Sequence, residues 1–317
     1  MLIAGFLTLP ACGFEDHASV YTPVENLRFA DPVLKACVLA EAKNNGWETS
    51  GQVTHLFCTN PEGDTIENLD GIESLVNLKV LDLAHNAISD IHLIDQLSHL
   101  EQLDLGYNNI QVIEISRLRN SLKSLNLDHN EIADLAWLPP LSLVENLSIS
   151  HNRLQNMEAV TELTSLRSVN LNNNQITSIA PLEAASELRE IDLGSNFITD
   201  IQALDGDHQL IVLHLDGNQI SSIDGLTGLK VLEELDLSRN QLTDVTALAK
   251  LILLHHLDLS HNQISDLSPL ESLGSIESIN IKGNTLNCDV LERLVTALGQ
   301  DVVTADACVA SNGPSEK

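Results

Sequence analysis

From Leu78 onward the chain repeats one hydrophobic phrase. Two aliphatic residues flank a polar one, and three residues beyond the second comes an asparagine: Asn86, Asn108, Asn130, Asn152, Asn174, Asn196, Asn218, Asn240, Asn262 and Asn284, spaced 22 residues apart every time. The aliphatic pairs run from Leu81 and Leu83 through Leu147 and Ile149 to Ile279 and Ile281. That alternation predicts a short strand with one buried face. Behind most asparagines the apolar spacing lengthens to three, as in Ile264, Leu267, Leu270 and Leu273, which predicts a tight helical or turn-rich return. One such unit cannot bury its own apolar face, whereas stacked units share a continuous core. The expected fold is therefore an α/β solenoid of about ten to eleven repeats, with a parallel sheet on its concave face and a cap at each end.

The fuller pattern L-x-x-L-x-x-L-x-L-x-x-N-x-I-x-x-I, matched over 248–267 and with aliphatic swaps elsewhere, resembles the leucine-rich repeat family. The 22-residue length is similar to the subclass containing the bacterial internalins and the eukaryotic regulatory subunit of protein phosphatase 1. Such proteins bind partners on the concave sheet, so the resemblance implies a non-enzymatic scaffold. In the second unit Ser116 and Arg119 stand where Leu is expected, and Ile115 and Leu118 are expected to take their places. An irregular first repeat over 53–77 precedes the regular array of 78–287, with VTHLFC at 53–58 as its strand and Pro61 in place of the asparagine. The asparagine carries both donors and an acceptor without charge, so it can satisfy backbone groups that the turn would otherwise bury unpaired.

Composition changes the picture in two places. For a globular chain of 317 residues the length suggests two domains, but a solenoid grows by addition, and one elongated domain is expected. The formal charge of -29 and a pI near 4.5 exclude a nucleic-acid backbone as partner and favour a basic one; acidity also keeps a long array soluble.

The apolar start MLIAGFLTLPAC resembles the lipobox of bacterial lipoproteins, which implies lipidation at Cys12 and a segment 1–12 that directs export. A cleaved secretory signal, or an apolar start without meaning, are the alternatives. Residues 13–28 are expected to form a tether. No other segment approaches the roughly 18 apolar residues of a membrane span, so any membrane attachment would be through the lipid.

Five cysteines are present. With Cys12 set aside, Cys37, Cys58, Cys288 and Cys308 allow three pairings. Ten rungs at roughly 4.8 Å put the two ends about 45–50 Å apart, while a disulfide needs Cα atoms within about 7 Å. Cys37 is thus expected to pair with Cys58 and Cys288 with Cys308, in an oxidising compartment; buried free thiols are the alternative, and no C-x-x-C pair suggests zinc. The stretch DPVLKACVLAEAKNN at 31–45 reads as a capping helix within a cap of 29–52, its stripe at Leu34, Val38 and Leu39. CDVLERLVTALG at 288–299 begins a C-terminal cap and tail over 288–317.

Catalytic signatures are missing: there is no GxxxxGK[ST], GxGxxG, HExxH or GxSxG. No catalytic residue, metal or cofactor is expected. The outward column of the sheet is Asp82, Asp104, Asn126, Ser148, Asn170, Asp192, His214, Asp236, Asp258 and Asn280, joined by Tyr107 and His256 as candidate binding residues. The strands and their flanks also offer Phe197, Arg153, Arg167, Arg189 and Arg239. With few aromatic anchors, the face suits an electrostatic contact with a basic protein, or a carbohydrate. His214, Asp236, His256 and Asp258 form the densest cluster. His85, His129, His151 and His261 each precede an asparagine of the ladder, and His129 and His151 are neighbours whose protonation near pH 6 would bring two charges together. The favoured reading is a monomeric scaffold of the bacterial cell envelope, as an outer-membrane lipoprotein or secreted; a cytosolic phosphatase-regulatory subunit and a structural spacer are the alternatives.

Overall fold

The computed structural model describes residues 21–59, 63–135, 138, 140–184, 187–206 and 209–309. Cys12 and Pro61 lie outside them.

Twelve strands form one parallel sheet in chain order: β1 His55–Phe57, β2 Val80–Asp82, β3 Gln102–Asp104, β4 Ser124–Asn126, β5 Asn146–Ser148, β6 Ser168–Asn170, β7 Glu190–Asp192, β8 Val212–His214, β9 Glu234–Asp236, β10 His256–Asp258, β11 Ser278–Asn280 and β12 Val303–Thr304. Each strand pairs with the next at the same place in its repeat, so Leu81 lies beside Leu103 and Leu103 beside Leu125. The middle residue of each regular strand points inward and is buried, from Leu81 to Ile279. Return segments are short 3-10 turns such as Thr246–Lys250 and Ser268–Ser272, which bury Leu248 and Leu270. In the second unit the substitution expected from sequence holds: Ile115 and Leu118 are buried while Ser116 and Arg119 face solvent.

From Asn86 to Asn262 the asparagines form a continuous buried ladder, which Asn284 ends half-buried. The Asn108 Oδ1 accepts from the Ile88 N–H at 3.0 Å, and its Nδ2 donates to the carbonyls of Leu83 and Leu105, both at 3.0 Å. Leu83 O also receives the Asn86 amide at 3.0 Å, so each rung is tied to the next through shared acceptors. The residue before each asparagine takes a left-handed backbone, φ between 52° and 59° at the eight non-glycine positions. Histidine and asparagine tolerate this region better than most residues.

At the N-terminal end α1, Pro32–Asn45, covers the first rung with Leu34, Val38 and Ala42; Leu39 is only half-buried. Asp31 caps it: one carboxylate oxygen accepts from Val33 and Leu34 N–H, the other from Glu67 and Asn68 N–H at 2.9 and 3.3 Å. A single side chain therefore joins the cap to the first repeat. The tether expected over 13–28 is corrected for its described part. Tyr21 onward docks on the cap, with Val24 and Leu27 buried, Val24 N–H donating to Glu48 O, and Ser50 N–H to Thr22 O. Two apolar residues in a polar stretch supply enough burial to hold it down.

At the other end α2, Cys288–Leu298, covers the last rung through Leu294, and the chain returns as β12, a strand that the 22-residue pattern does not predict. Disulfides join Cys37 to Cys58, with Cα atoms 5.8 Å apart, and Cys288 to Cys308, 4.9 Å apart. No helix among the described residues is long and apolar enough to cross a membrane.

Candidate ligand-binding face

The polar column on the open face of the sheet has a structural task. Asp82, Asp104, Asn126, Asn170, Asp192, Asp236 and Asp258 each accept, through one side-chain oxygen, the backbone N–H two residues ahead, at 2.8 to 3.0 Å. This Asx turn bends the chain out of the strand. Ser148 cannot reach that way, and Asp128 of the preceding rung takes the Ser150 N–H instead, together with the Ser148 hydroxyl, both at 2.6 Å. Carboxylate or amide is thus selected at this column by the turn, and only the second oxygen of each aspartate, or the amide NH2 of each asparagine, remains for other work. Some of these are used between rungs: Asn126 donates to Asp104 at 3.0 Å and Asn280 to Asp258 at 2.8 Å.

Burial first, and neighbouring charge after it, raise the proton affinity of two carboxylates here. Asp216 is held above the ordinary carboxylate value by burial and then by the charges of Asp236 and Asp192; Asp82 is raised by burial and by Asp104. Around Asp236 and Asp258 the sheet forms a shallow hollow, lined also by Glu234, His256, Ser278 and Asn280.

The expected His–Asp cluster is rearranged. His214 lies beside Asp236 in register, but its Nε2 meets Glu234 Oε1 at 3.0 Å, while Asp236 accepts the Ser238 N–H through one oxygen. His256 turns away to the Ser278 hydroxyl at 2.9 Å. Among the described residues no three His, Cys, Asp or Glu side chains converge as metal ligands. Glu234 escaped the sequence reading because the column two residues earlier was read only at His256, and Glu234 is its neighbour there.

Tyr107, expected on the concave face, is instead in the left-handed turn beyond β3. It is 47% exposed and stacked between His85 and His129, with ring centroids 4.2 and 4.0 Å away. At the N-terminal end an aromatic group does occupy the face: Trp47 meets His55 edge-on at 4.8 Å and His55 meets Phe57 at 5.7 Å. Along the strand entrances Lys79, Glu101 and Lys123 alternate in charge, with N–O distances of 3.5 and 2.8 Å, followed by Glu145 and Arg167 at 3.6 Å. Reading the sequence at 22-residue spacing in that column would have found this ladder. Each lysine or arginine of this ladder is matched by a glutamate, whereas the hollow near β9 and β10 is lined by Glu234, Asp236 and Asp258 with His256 and no lysine or arginine.

Sequence profiles described as leucine-rich repeats in two copies match residues 76–120, 142–184, 164–206 and 208–250, and a single-repeat profile matches 120–135 and 250–267. Together they span more than half of the chain. The chain belongs to the leucine-rich repeat family. Among solved leucine-rich repeat structures, an internalin, InlF, from Listeria monocytogenes is 25% identical, with a TM-score of 0.79 over 93% of this chain and 94% of that one. The functional domain of InlJ from the same organism is 24% identical, with a TM-score of 0.74; 90% of this chain aligns with 61% of its length. The plant peptide hormone receptor RGFR1, solved in complex with RGF2, shares the fold at 21% identity and a TM-score of 0.55, over 68% of this chain and 42% of that chain. No curated protein sequence matches. The array is thus an internalin-like leucine-rich repeat protein with disulfide-closed ends.

Proposed function

We propose that the protein is a binding scaffold of the bacterial cell envelope that holds a basic protein ligand on the open face of its sheet. The observation that carries this reading is the carboxylate field over β7 to β10. Asp192, Asp216, Glu234, Asp236 and Asp258 lie on adjacent rungs, and burial and mutual repulsion already raise Asp216. A cationic surface would relieve that repulsion, and complementary charge of this kind speeds encounter and selects partners. The receptor–hormone complex that shares the fold supports a protein ligand as the class. The two disulfides support an oxidising compartment, and the apolar start supports export, with Cys12 as the lipidated residue.

Asp→Asn is the informative change, because the amide oxygen keeps the Asx turn while the charge goes. The combined variant Asp192→Asn, Asp236→Asn should retain its melting temperature and lose affinity for the envelope ligand at least tenfold, with a weakened salt dependence. Unchanged affinity would move the site off this face. Cys12→Ser, expressed with its native upstream sequence, should no longer take up labelled palmitate or partition into detergent; retention of both would exclude Cys12 as the anchor.

A further inference from the structure

On the rim beside β2 to β5, four aromatic rings from four successive repeats stand face to face. His85 and Tyr107 are 4.2 Å apart between centroids, Tyr107 and His129 4.0 Å, and His129 and His151 4.0 Å, with interplanar angles of 14°, 13° and 12°. All four residues occupy the left-handed position before a ladder asparagine. Their backbone N–H groups are each fixed to the next rung, on Gly106, Asp128, Ser150 and Asn172 carbonyls at 2.8 or 2.9 Å. The Cα atoms cannot spread, since strand spacing sets their separation. Only side-chain rotation can relieve repulsion within the stack.

We propose that this stack is a proton sensor: closed and uncharged at neutral pH, and split at the His129–His151 contact when mildly acidic surroundings load both rings. A single proton is well accommodated, because a charged imidazole on either face of Tyr107 gains a cation–π contact. A second proton on the directly stacked pair places two like charges about 4 Å apart with no ring between them. The neighbours offset only part of this. Asp82 faces His85, and Asp128 faces His129, supplying one negative charge against two positive ones while its Oδ1 accepts from Ser148 and Ser150. His151 has the Asn173 amide nitrogen 3.4 Å from its Nε2, a donor that the neutral ring accepts and the doubly protonated ring repels. Consistent with this geometry, burial first, then His151, and more weakly His85, hold His129 below the ordinary imidazole value of 6.5, against the pull of Asp128. Rotation of His129 into solvent would uncover one face of Tyr107 and add positive charge to the rim of an otherwise acidic protein. The inference concerns the isolated chain and stands whether or not the concave face binds the proposed ligand.

The test is an NMR titration of the histidine and tyrosine ring resonances of the intact protein between pH 8 and pH 5. His129 should titrate with a midpoint below 6.5 and a Hill slope below one, and Tyr107 should lose ring-current shift over the same range. His151→Phe keeps the ring but removes the proton, so the His129 midpoint should move up and its slope approach one. His151→Asn, with the smaller side chain, should move it in the same direction. His261 shares the turn position but lies between Arg239 and Gly283 in its column, and its midpoint should not respond to either change. If His129 titrates with unit slope and ignores both variants, or if Tyr107 stays unperturbed throughout, the sensor is refuted.

Discussion

Replacing Asn174 by alanine removes the centre of a buried network whose accounting can be worked through. Asn174 is 6% exposed. Its Oδ1 accepts from Leu154 N–H at 2.9 Å, and its Nδ2 donates to Ile149 O at 2.8 Å and Leu171 O at 3.0 Å. The two carbonyls keep other donors, since Asn152 reaches Ile149 at 3.3 Å and Asn196 reaches Leu171 at 3.0 Å. Loss therefore falls mainly on the Leu154 N–H, which is left buried and unpaired at a cost of about 1–3 kcal/mol, with the weakened carbonyl contacts adding a little. Asn174→Asp should cost more than alanine at pH 7. It retains an acceptor for Leu154 but turns a charged oxygen toward two carbonyls. Because a repeat array need not unfold in one step, urea unfolding by circular dichroism should be paired with amide hydrogen exchange at Leu154. The expected results are a lower urea midpoint and faster exchange local to that rung, with aspartate worse than alanine. An unchanged midpoint and unchanged Leu154 protection would refute the ladder argument.

Removing either end staple as a pair, Cys37→Ala with Cys58→Ala or Cys288→Ala with Cys308→Ala, opens loops with separations of 21 and 20 residues and should cost on the order of 3 kcal/mol; non-reducing peptide mapping of the unmodified protein should recover both linked pairs. Asp31→Ala removes a helix cap and orphans the Glu67 and Asn68 N–H groups, for about 2–4 kcal/mol by urea unfolding. Burial opposes the Asp31 charge, but the four backbone N–H donors outweigh it and lower its pKa below 3.8; this stabilisation is complete above pH 3.8 and disappears as pH falls through the lowered value, so the Asp31→Ala deficit should shrink in strong acid. Gly225→Ala would drive a Cβ into the Ile201 carbonyl, and a fall in melting temperature equivalent to about 1–3 kcal/mol is expected; an unchanged value would show that the two return segments can part without strain.

The strands, the buried leucines and the asparagine turns were legible because each obeys a period that the chain repeats ten times. The end staples were legible from distance alone, since a solenoid keeps its ends apart. What escaped reading has local causes. Docking of Val24 and Leu27, and the strand at Val303–Thr304, depend on single contacts with the caps rather than on the period. The His214–Glu234 pair crosses columns, which a reading of one column at a time does not show. The aromatic stack was visible as histidines preceding asparagines, but Tyr107 between them becomes part of it only when the turn position is known to hold all four rings at one spacing. The polar column was read as candidate binding residues; its geometry shows that the turn selects those residues first.

The central claim, that the open sheet holds a basic partner over β7 to β10, is tested most directly by hydroxyl-radical footprinting of the protein alone and in complex with its envelope ligand. Protection should concentrate on His214, Glu234 and His256, with the exposed Ile252 and Leu253, in the turn that precedes β10, labelled equally in both states. Protection of Ile252 and Leu253 with the sheet columns unchanged would contradict the account.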